Sequence, residues 1–252
     1  MDRYVPPFTI TNQMLMLVAQ IAEKTGSVSN FHSFETKPHL RRNNRIRSIH
    51  SSLAIEANSL SLDEVRSVIS GKTVIGPQKE IQEVKNAYQA YDQLGRFDPY
   101  SLEDLKRLHG IMTYLTVQES GVFRSHNEGV FKGDQCIFMA PPPQFVPEQM
   151  QALFDWMNDA KEDIHPLILS SVFHYEFVFI HPFSDGNGRM ATGAWHACGR
   201  PRFCRSGTRS SNICRWRAAS RNSRTAIMRL SPSAMAREVR MRSSRSCWIR
   251  ST

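Results

Sequence analysis

The residues with the clearest chemical potential form a nonapeptide, HPFSDGNGR, at positions 181–189. Gly186 and Gly188 allow positive φ angles and leave backbone N–H groups uncovered, so the loop can wrap an anion such as a phosphate. Asp185 offers a hard oxygen ligand for Mg²⁺, which would neutralise the same phosphates. Arg189 adds a charged fork that can grip a phosphate from the side.

His181 opens the nonapeptide and is the candidate general base. Pro182 fixes it at the end of a predicted helix, where an imidazole facing a phosphate site can accept the proton of an incoming hydroxyl. Taken singly, a histidine is usually structural and a DGNG tetrapeptide is usually a turn. A base, a metal ligand, an anion-binding loop and an arginine so close together instead favour phosphoryl-type transfer, which needs mainly positioning and charge neutralisation.

Helices are predicted to position this loop, because apolar residues recur at helical spacing along most of the chain. The predicted helices span residues 11–26, 38–57, 61–71, 81–94, 101–115, 147–157 and 166–180. Tyr88 and Leu115 belong to the stripes expected to face the core, and Phe183 is expected to point inward and fix the loop. The last helix is apolar nearly all round, which indicates a central position in the domain.

Residues 121–146 break this pattern with short apolar runs, Gly129, Gly133 and a proline cluster at 141–143. They predict a small β-hairpin followed by an extended segment. The prolines could also serve a proline-reading module, although holding the chain extended is the simpler interpretation. The predicted fold class is therefore all-α with one small β-hairpin.

The nonapeptide resembles the signature HPFx(D/E)GN(G/K)R of the Fic (Fido) domain family. Other segments are similar to the family too, namely LHGIM at 108–112, GVFR at 121–124, the hairpin, PPPQFVP and FDWMND. The resemblance covers about residues 1–190. It implies a mainly helical Fic fold and transfer of AMP from ATP to a Ser, Thr or Tyr hydroxyl of a target protein, with Mg²⁺ assisting.

The resemblance also implies a role for each motif residue. His181 would be the catalytic base and Asp185 the metal ligand, and the hairpin at 128–140 would be a flap that docks the target protein as an extra strand. The phosphate cradle would comprise Gly186, Asn187, Gly188 and Arg189. Removal of AMP from targets, or transfer of another phosphate-containing group, is an alternative that the same loop would serve.

A second segment, Ser52 to Glu56, resembles the family's inhibitory pattern (S/T)xxxE(G/N), with Ala57 as a slight departure. As a bare pattern SxxxE is common, and an ordinary helix with a surface glutamate is the alternative. Its position ahead of the core favours regulation. The resemblance implies autoinhibition, in which Glu56 competes with a γ-phosphate for an arginine and ATP binds in an unproductive pose.

The resemblance stops just after Arg189. The family pattern continues as GRxxR, but Thr192 stands where the second arginine is expected. That arginine would be the partner of both the γ-phosphate and the inhibitory glutamate, so impaired activity is expected here.

The net charge of +9 is distributed unevenly. Residues 1–190 hold 18 Lys+Arg against 22 Asp+Glu, whereas residues 191–252 hold 14 Arg, no Lys and a single acidic residue, Glu238. We hypothesise that a frameshift near residues 190–192 replaced the C-terminal helices, which the nucleotide sequence can decide. A non-enzymatic nucleic-acid-binding protein acting through this tail is the less favoured alternative from a different class. A zinc site is disfavoured by the spacing of its candidate ligands, which are His196, Cys198, Cys204 and Cys214.

The chain is thus divided into an N-terminal helical region with the inhibitory helix (1–100), a Fic core (101–190) and an Arg-rich aberrant or disordered tail (191–252). The apolar run at 164–180 is interrupted and shorter than a membrane span, so no membrane association is expected. The first ten residues do not form a signal peptide, and the single cysteine among the first 190 residues, Cys136, fits a reducing cytoplasm. A homo-oligomer is left open.

Overall fold

A computed structural model describes residues 4–29, 38–132 and 135–191. The hairpin turn at residues 133–134 lies outside the described residues, as does everything from Thr192 onward. The predictions of a frameshifted tail, a zinc site and a nucleic-acid-binding tail therefore concern the part of the chain that is not described.

The described chain is mainly helical with one antiparallel strand pair, which confirms the predicted fold class. The α-helices are α1 (Asn12–Ser29), α2 (Pro38–Leu53), α3 (Leu62–Ile69), α4 (Gln78–Gln93), α5 (Leu102–Met112), α6 (Val146–Ala160), α7 (Pro166–Ile180) and the single turn α8 (Asn187–Arg189). The strands are β1 (Gly129–Lys132) and β2 (Gln135–Met139). Short 3₁₀ segments are found at Ala54–Glu56, Leu94–Arg96 and Pro143–Phe145.

Side-chain caps fix where several helices begin. The hydroxyl of Ser61 accepts the N–H of Glu64, and the carboxylate of Glu64 accepts the N–H of Ser61 at 2.7 Å, which completes a capping box at α3. The hydroxyl of Ser101 accepts the N–H of Asp104 at the start of α5. These bonds satisfy N–H groups that have no partner within the helix, so both predicted starts are confirmed.

Some predicted helix ends and inward positions were wrong. The first helix continues past Gly26 to Ser29. Leu115 is 74% exposed, because α5 ends at Met112 and Leu115 turns away with a φ of 58°. Tyr88 lies at the margin of its helix's apolar stripe and is 36% exposed, although its neighbours at helical spacing are buried.

Nine of the fifteen residues of α7 are buried, as its apolar sequence predicts. α6 packs on α7, while α4 packs against α2, α3 and α5. The single turn α8 contacts three elements at once, namely α7, α2 and the 3₁₀ segment Ala54–Glu56. The turn that follows the α7 loop is thereby brought against the 3₁₀ segment that carries Glu56, the proposed inhibitory residue.

The hairpin pairs Gly129 with Met139 and shows an irregular register between Val130 and Phe131. Its base is closed by the N–H of Ala140, which donates to the carbonyl of Glu128 at 2.9 Å. None of the helices in the described ranges combines the length and the apolar character that crossing a bilayer requires.

Candidate active site

His181 caps the C-terminus of α7 in the left-handed conformation, with a φ of 51°. Its N–H donates to the carbonyl of Phe177 at 2.9 Å, so the helix ends where Pro182 requires. Burial lowers the pKa of the imidazole, and a hydrogen bond to the backbone of Val178 only partly opposes this effect. The ring is therefore neutral at pH 7, which is the form that a general base needs.

Phe183 and Asn187 hold the loop that follows. Phe183 is fully buried, as predicted. The side-chain amide of Asn187 donates to the carbonyl of Phe183 at 2.6 Å and accepts its N–H at 3.0 Å. The amide group of Asn187 is thus engaged within the loop, and the loop closes on itself through it.

Gly186 adopts a φ of 85°, and a Cβ there would lie 3.1 Å from the Cγ2 of Thr113 and 3.2 Å from the Nε2 of His109. Both the backbone conformation and the space at this position therefore require glycine. The tight turn directs the following N–H groups of Gly188 and Arg189 toward a single point.

Asp185 lies beside this turn. Its Oδ1 accepts the N–H of Gly186 at 2.6 Å and the Nη2 of Arg189 at 3.1 Å, while its Oδ2 lies 3.5 Å from the Nζ of Lys79. Burial alone would raise the pKa of Asp185, but the Arg189 guanidinium, the Gly186 N–H and Lys79 together lower it. The carboxylate is consequently ionised at neutral pH and able to hold a cation.

Arg189 is only 1% exposed and is surrounded by carboxylates. Its Nε forms an ion pair with Glu56, its Nη2 with Asp185 at 3.1 Å, and its Nη1 lies 3.6 Å from Glu83. Glu83 is held in turn by the side chain of Asn58 at 2.8 Å. The structure thus brings the motif arginine, the metal-ligand candidate and the glutamate of the inhibitory pattern into one cluster.

The carboxylate of Glu56 lies on the backbone of the loop. Its Oε1 accepts the N–H of Gly188 at 2.9 Å and that of Arg189 at 3.3 Å. Burial raises the pKa of Glu56, although the charge of Arg189 opposes that effect. A Cβ at Gly188 would lie 2.9 Å from the Cγ2 of Ile55, so only glycine lets the two segments approach this closely.

The other residues of the inhibitory pattern behave differently. Ser52 is 1% exposed, and its hydroxyl has no hydrogen-bond partner within the part of the chain that the structure describes. Ser52 does not join the cluster around Arg189. Ala57 has a φ of 61°, the left-handed conformation that glycine and asparagine adopt more readily than alanine.

His109 is a site residue that the sequence did not single out, although its segment LHGIM was recognised. It is fully buried and stacks on Phe183, with ring centroids 3.7 Å apart. Its Nδ1 accepts the N–H of Gly121 at 3.0 Å, so Nε2 carries the proton and donates to the carbonyl of Asp185 at 2.9 Å. Burial lowers the pKa of His109 to about 4. A neutral imidazole therefore supports the loop through its hydrogen bond to Asp185 and its stacking on Phe183.

Arg124, within the recognised segment GVFR, is the second such residue. It is 2% exposed and donates to the carbonyl of His181 at 2.7 Å. Both missed residues act on the backbone of the nonapeptide from elements far away in sequence. No local pattern reports such a contact.

The residues around Asp185 fit a magnesium ion whose coordination shell is completed by phosphate oxygens and water. Within the described residues, no group of three His, Cys, Asp or Glu side chains could form a metal site by itself. Mg²⁺ typically keeps several waters and binds proteins through one or two carboxylates together with substrate phosphates. One ionised aspartate beside an anion-binding loop matches that arrangement.

The profile of the Fic/DOC family matches residues 99–197, which contain α5, the hairpin, α6, α7 and the nonapeptide. The crystal structure of a Fic family protein from Desulfovibrio desulfuricans G20 is 38% identical, with a TM-score of 0.79, over 93% of this chain and 70% of that one. The chain belongs to the Fic family.

Two curated Fic relatives are named protein adenylyltransferases. The protein adenylyltransferase fic-1 of Caenorhabditis elegans is 32% identical over 155 residues, which are 57% of this chain and 29% of that protein. The protein adenylyltransferase Fic of Nematostella vectensis is 30% identical over 154 residues, 57% of this chain and 34% of that protein. The chain thus spans about a third of the length of these curated relatives.

Proposed function

We propose that this Fic protein transfers AMP from ATP to a Ser, Thr or Tyr hydroxyl of a target protein. The hydroxyl oxygen forms a bond to the α-phosphorus, and the bond to the leaving pyrophosphate breaks. The names of the curated relatives support adenylyl transfer in general. The cluster around Arg189 supports the phosphate chemistry.

The observation that carries this proposal is the position of the Glu56 carboxylate on the loop. Two backbone N–H groups and a buried guanidinium already hold an anion there. A carboxylate and a phosphate oxygen present similar hydrogen-bond acceptors, so the side chain marks where a phosphate of ATP can bind. The guanidinium of Arg189 and the N–H groups of Gly188 and Arg189 would form the cradle, which Gly186 and Asn187 shape.

His181 and Asp185 would divide the remaining chemistry. His181, neutral because of its burial, would take the proton of the acceptor hydroxyl on a ring nitrogen as that oxygen attacks. Asp185 would hold Mg²⁺, which supplies charge neutralisation for the phosphates when bound. Lys79 lies 3.5 Å from the same carboxylate and would move aside.

The same contacts support autoinhibition by Glu56. A phosphate and the Glu56 carboxylate cannot occupy the same two N–H groups and Arg189 at once. The competition expected from the sequence thus involves Arg189, the arginine within the nonapeptide, whereas the second arginine of the family pattern is replaced by Thr192. We propose that this replacement impairs transfer, because the γ-phosphate lacks its partner.

Incubation with labelled ATP and Mg²⁺ tests the function. With the label on the α-phosphate, Glu56→Gly should become labelled covalently more than the parent chain, and the double variant Glu56→Gly, His181→Ala should not. Equal labelling in Glu56→Gly and the parent would remove the autoinhibition proposal. Labelling that persists without His181 would remove the assigned base.

The position of the label separates related reactions. ATP labelled on the γ-phosphate should give no labelled protein, because pyrophosphate leaves with that phosphate. Transfer of the γ-label would instead indicate transfer of a phosphate group. Release of AMP from a previously modified target, with water as the acceptor and without net labelling, would indicate hydrolytic removal of AMP instead.

A further inference from the structure

Arg124 lies between α5 and β1 and contacts the backbone at the end of α7. Its Nε donates to the carbonyl of His181 at 2.7 Å, and its Nη2 donates to that of Ile180 at 3.3 Å. Its own N–H donates to the carbonyl of Pro182 at 3.0 Å. Three successive carbonyls around the proposed base are therefore held by one residue.

The same guanidinium reaches both ends of the hairpin. Its Nη1 donates to the carbonyl of His126, which precedes β1, at 2.7 Å. Its Nη2 donates to the carbonyl of Pro141, which follows β2, at 2.5 Å. The hairpin thus leaves and rejoins the body of the protein at two points fixed by a single side chain.

The geometry suits arginine and no other residue. The last carbonyls of a helix have no intrahelical donor, and a cation there is favoured by the helix dipole. A planar fork with five N–H groups can reach acceptors in several directions, whereas lysine has three donors on one nitrogen. Burial lowers the pKa of Arg124, yet an arginine side chain remains charged in proteins.

We propose that Arg124 is a positioning residue that couples the target-docking flap to the catalytic base. The inference rests on the proposed function, in which the hairpin docks the target and His181 receives its proton. The docked hydroxyl and the imidazole must meet within about 3 Å. One buried side chain bonded to both the flap ends and the His181 backbone sets that separation.

The charge of Arg124 gives the proposal a distinct signature. Burial lowers the pKa of His181 most, Glu128 raises it, and the positive charge of Arg124 lowers it further. Removal of that charge should raise the pKa of His181. A substitution that keeps the charge but loses the fork should leave the pKa nearly unchanged while it loosens the flap.

The experiment compares Arg124→Lys and Arg124→Gln in the full chain, with Arg107→Lys as a matched control. Arg107 is exposed and pairs with Asp104 within α5. Hydrogen exchange is measured at the N–H of Ala140, which closes the flap base, and at that of His181. NMR titration follows the His181 imidazole, identified by its loss in His181→Ala.

Both Arg124 variants should accelerate exchange at the two N–H groups together, by about 10-fold or more, since each variant loses several hydrogen bonds to these segments. Only Arg124→Gln should raise the pKa of His181. Unchanged exchange in Arg124→Lys would overturn the proposal, as would faster exchange at Ala140 alone. If Arg124→Gln does not fold, Arg124→Lys still decides the coupling.

Kinetics separate this proposal from the proposed function. In the Glu56→Gly background, Arg124→Lys should lower the maximal rate at which the chain labels itself from α-labelled ATP, with KM for ATP unchanged. A Glu56→Gly chain that transfers no label contradicts the proposed function, and the exchange measurements still decide the role of Arg124. An active chain with unchanged kinetics in Arg124→Lys overturns the positioning role alone.

Discussion

Two buried arginines flank the nonapeptide and differ in what surrounds them. Arg189 is 1% exposed and Arg124 is 2% exposed, so both guanidinium groups are almost fully removed from water. Arg189 faces the carboxylates of Glu56, Glu83 and Asp185. Arg124 donates its side-chain hydrogen bonds to backbone carbonyls.

The difference separates an exchangeable region from a fixed one. Carboxylates lie on side chains that can rotate, and a phosphate can replace them against the same donors. Backbone carbonyls cannot leave without moving the chain, and a buried carbonyl without a donor costs about 1–3 kcal/mol. The partners of Arg189 can therefore be exchanged for a ligand, whereas the partners of Arg124 hold the backbone in place.

The largest expected effect follows removal of Arg189, the cation whose carboxylate partners a phosphate can replace. Arg189→Gln in the Glu56→Gly background should lower AMP transfer at least about 100-fold, since a charged transition-state contact is lost. In the parent chain it should also reduce the free energy of unfolding by about 3 kcal/mol, because buried carboxylates lose their partner. Urea unfolding and label transfer measure both effects.

Arg107→Gln is the control for this comparison, because Arg107 is exposed and pairs with a single carboxylate. It should change stability by less than about 1 kcal/mol. Similar losses in the two variants would contradict the special position of Arg189.

The next predicted effect concerns His109, the buried neutral histidine that supports the loop, and the pH dependence of stability that it causes. In the unfolded chain a histidine binds its proton near pH 6.5, whereas in the folded chain His109 does so only at about 4. The folded state then binds fewer protons. The contribution of His109 to the free energy of unfolding is therefore fully present above pH 6.5 and falls as the pH drops toward 4. The loss should approach about 3 kcal/mol.

His109→Gln lacks this titration and therefore shows how much of the pH dependence of stability comes from His109. Urea unfolding at pH 7 and at pH 4 should show a larger stability loss in the parent than in the variant, again by about 3 kcal/mol. Equal losses in both proteins would show that another group governs the acid sensitivity.

A smaller effect should follow neutralisation of the Glu56 carboxylate, the proposed inhibitory group. Glu56→Gln keeps the size of the side chain but removes the charge that competes with a phosphate for Arg189. Its affinity for ATP should rise about 10-fold, equivalent to 1.4 kcal/mol. Calorimetric titration measures this, with Glu103→Gln, an exposed partner of Lys106, as the control. Equal affinities in the parent and both variants would place ATP elsewhere.

The smallest predicted effect concerns the end of the segment that carries Glu56. Ala57 holds a φ of 61°, where alanine costs about 1 kcal/mol relative to glycine. Ala57→Gly should therefore stabilise the protein by roughly 0.5–1 kcal/mol, measured by thermal unfolding. The exposed Ala54, in the preceding 3₁₀ turn, is the control, and Ala54→Gly should destabilise. Destabilisation by both substitutions would contradict this account of the turn.

Local signals in the sequence predicted much of the framework. The helix start at Ser61 and the stop imposed by Pro182 depend on residues within a few positions, and both are confirmed. Leu115 was misplaced because helical periodicity continues past Met112 while the helix does not. The boundary depends on tertiary packing, which periodicity does not report.

The site divides in the same way. The nonapeptide identified the loop, because its residue types and spacing are local. Sequence alone could not give the contacts of His109 and Arg124, whose partners lie 76 and 57 residues away. The pairing of Glu56 with Arg189 was also not predicted, since the family pattern assigns that glutamate to an arginine that this chain lacks.

The contact between Glu56 and the loop joins residues 132 and 133 positions apart, with the glutamate first. Ribosomes add about 5–20 residues per second, so the carboxylate emerges roughly ten seconds before the N–H groups that it occupies. During synthesis the proposed inhibitory residue Glu56 therefore precedes the loop that it covers. The Glu56 carboxylate is thus already available to bind the loop when the loop folds.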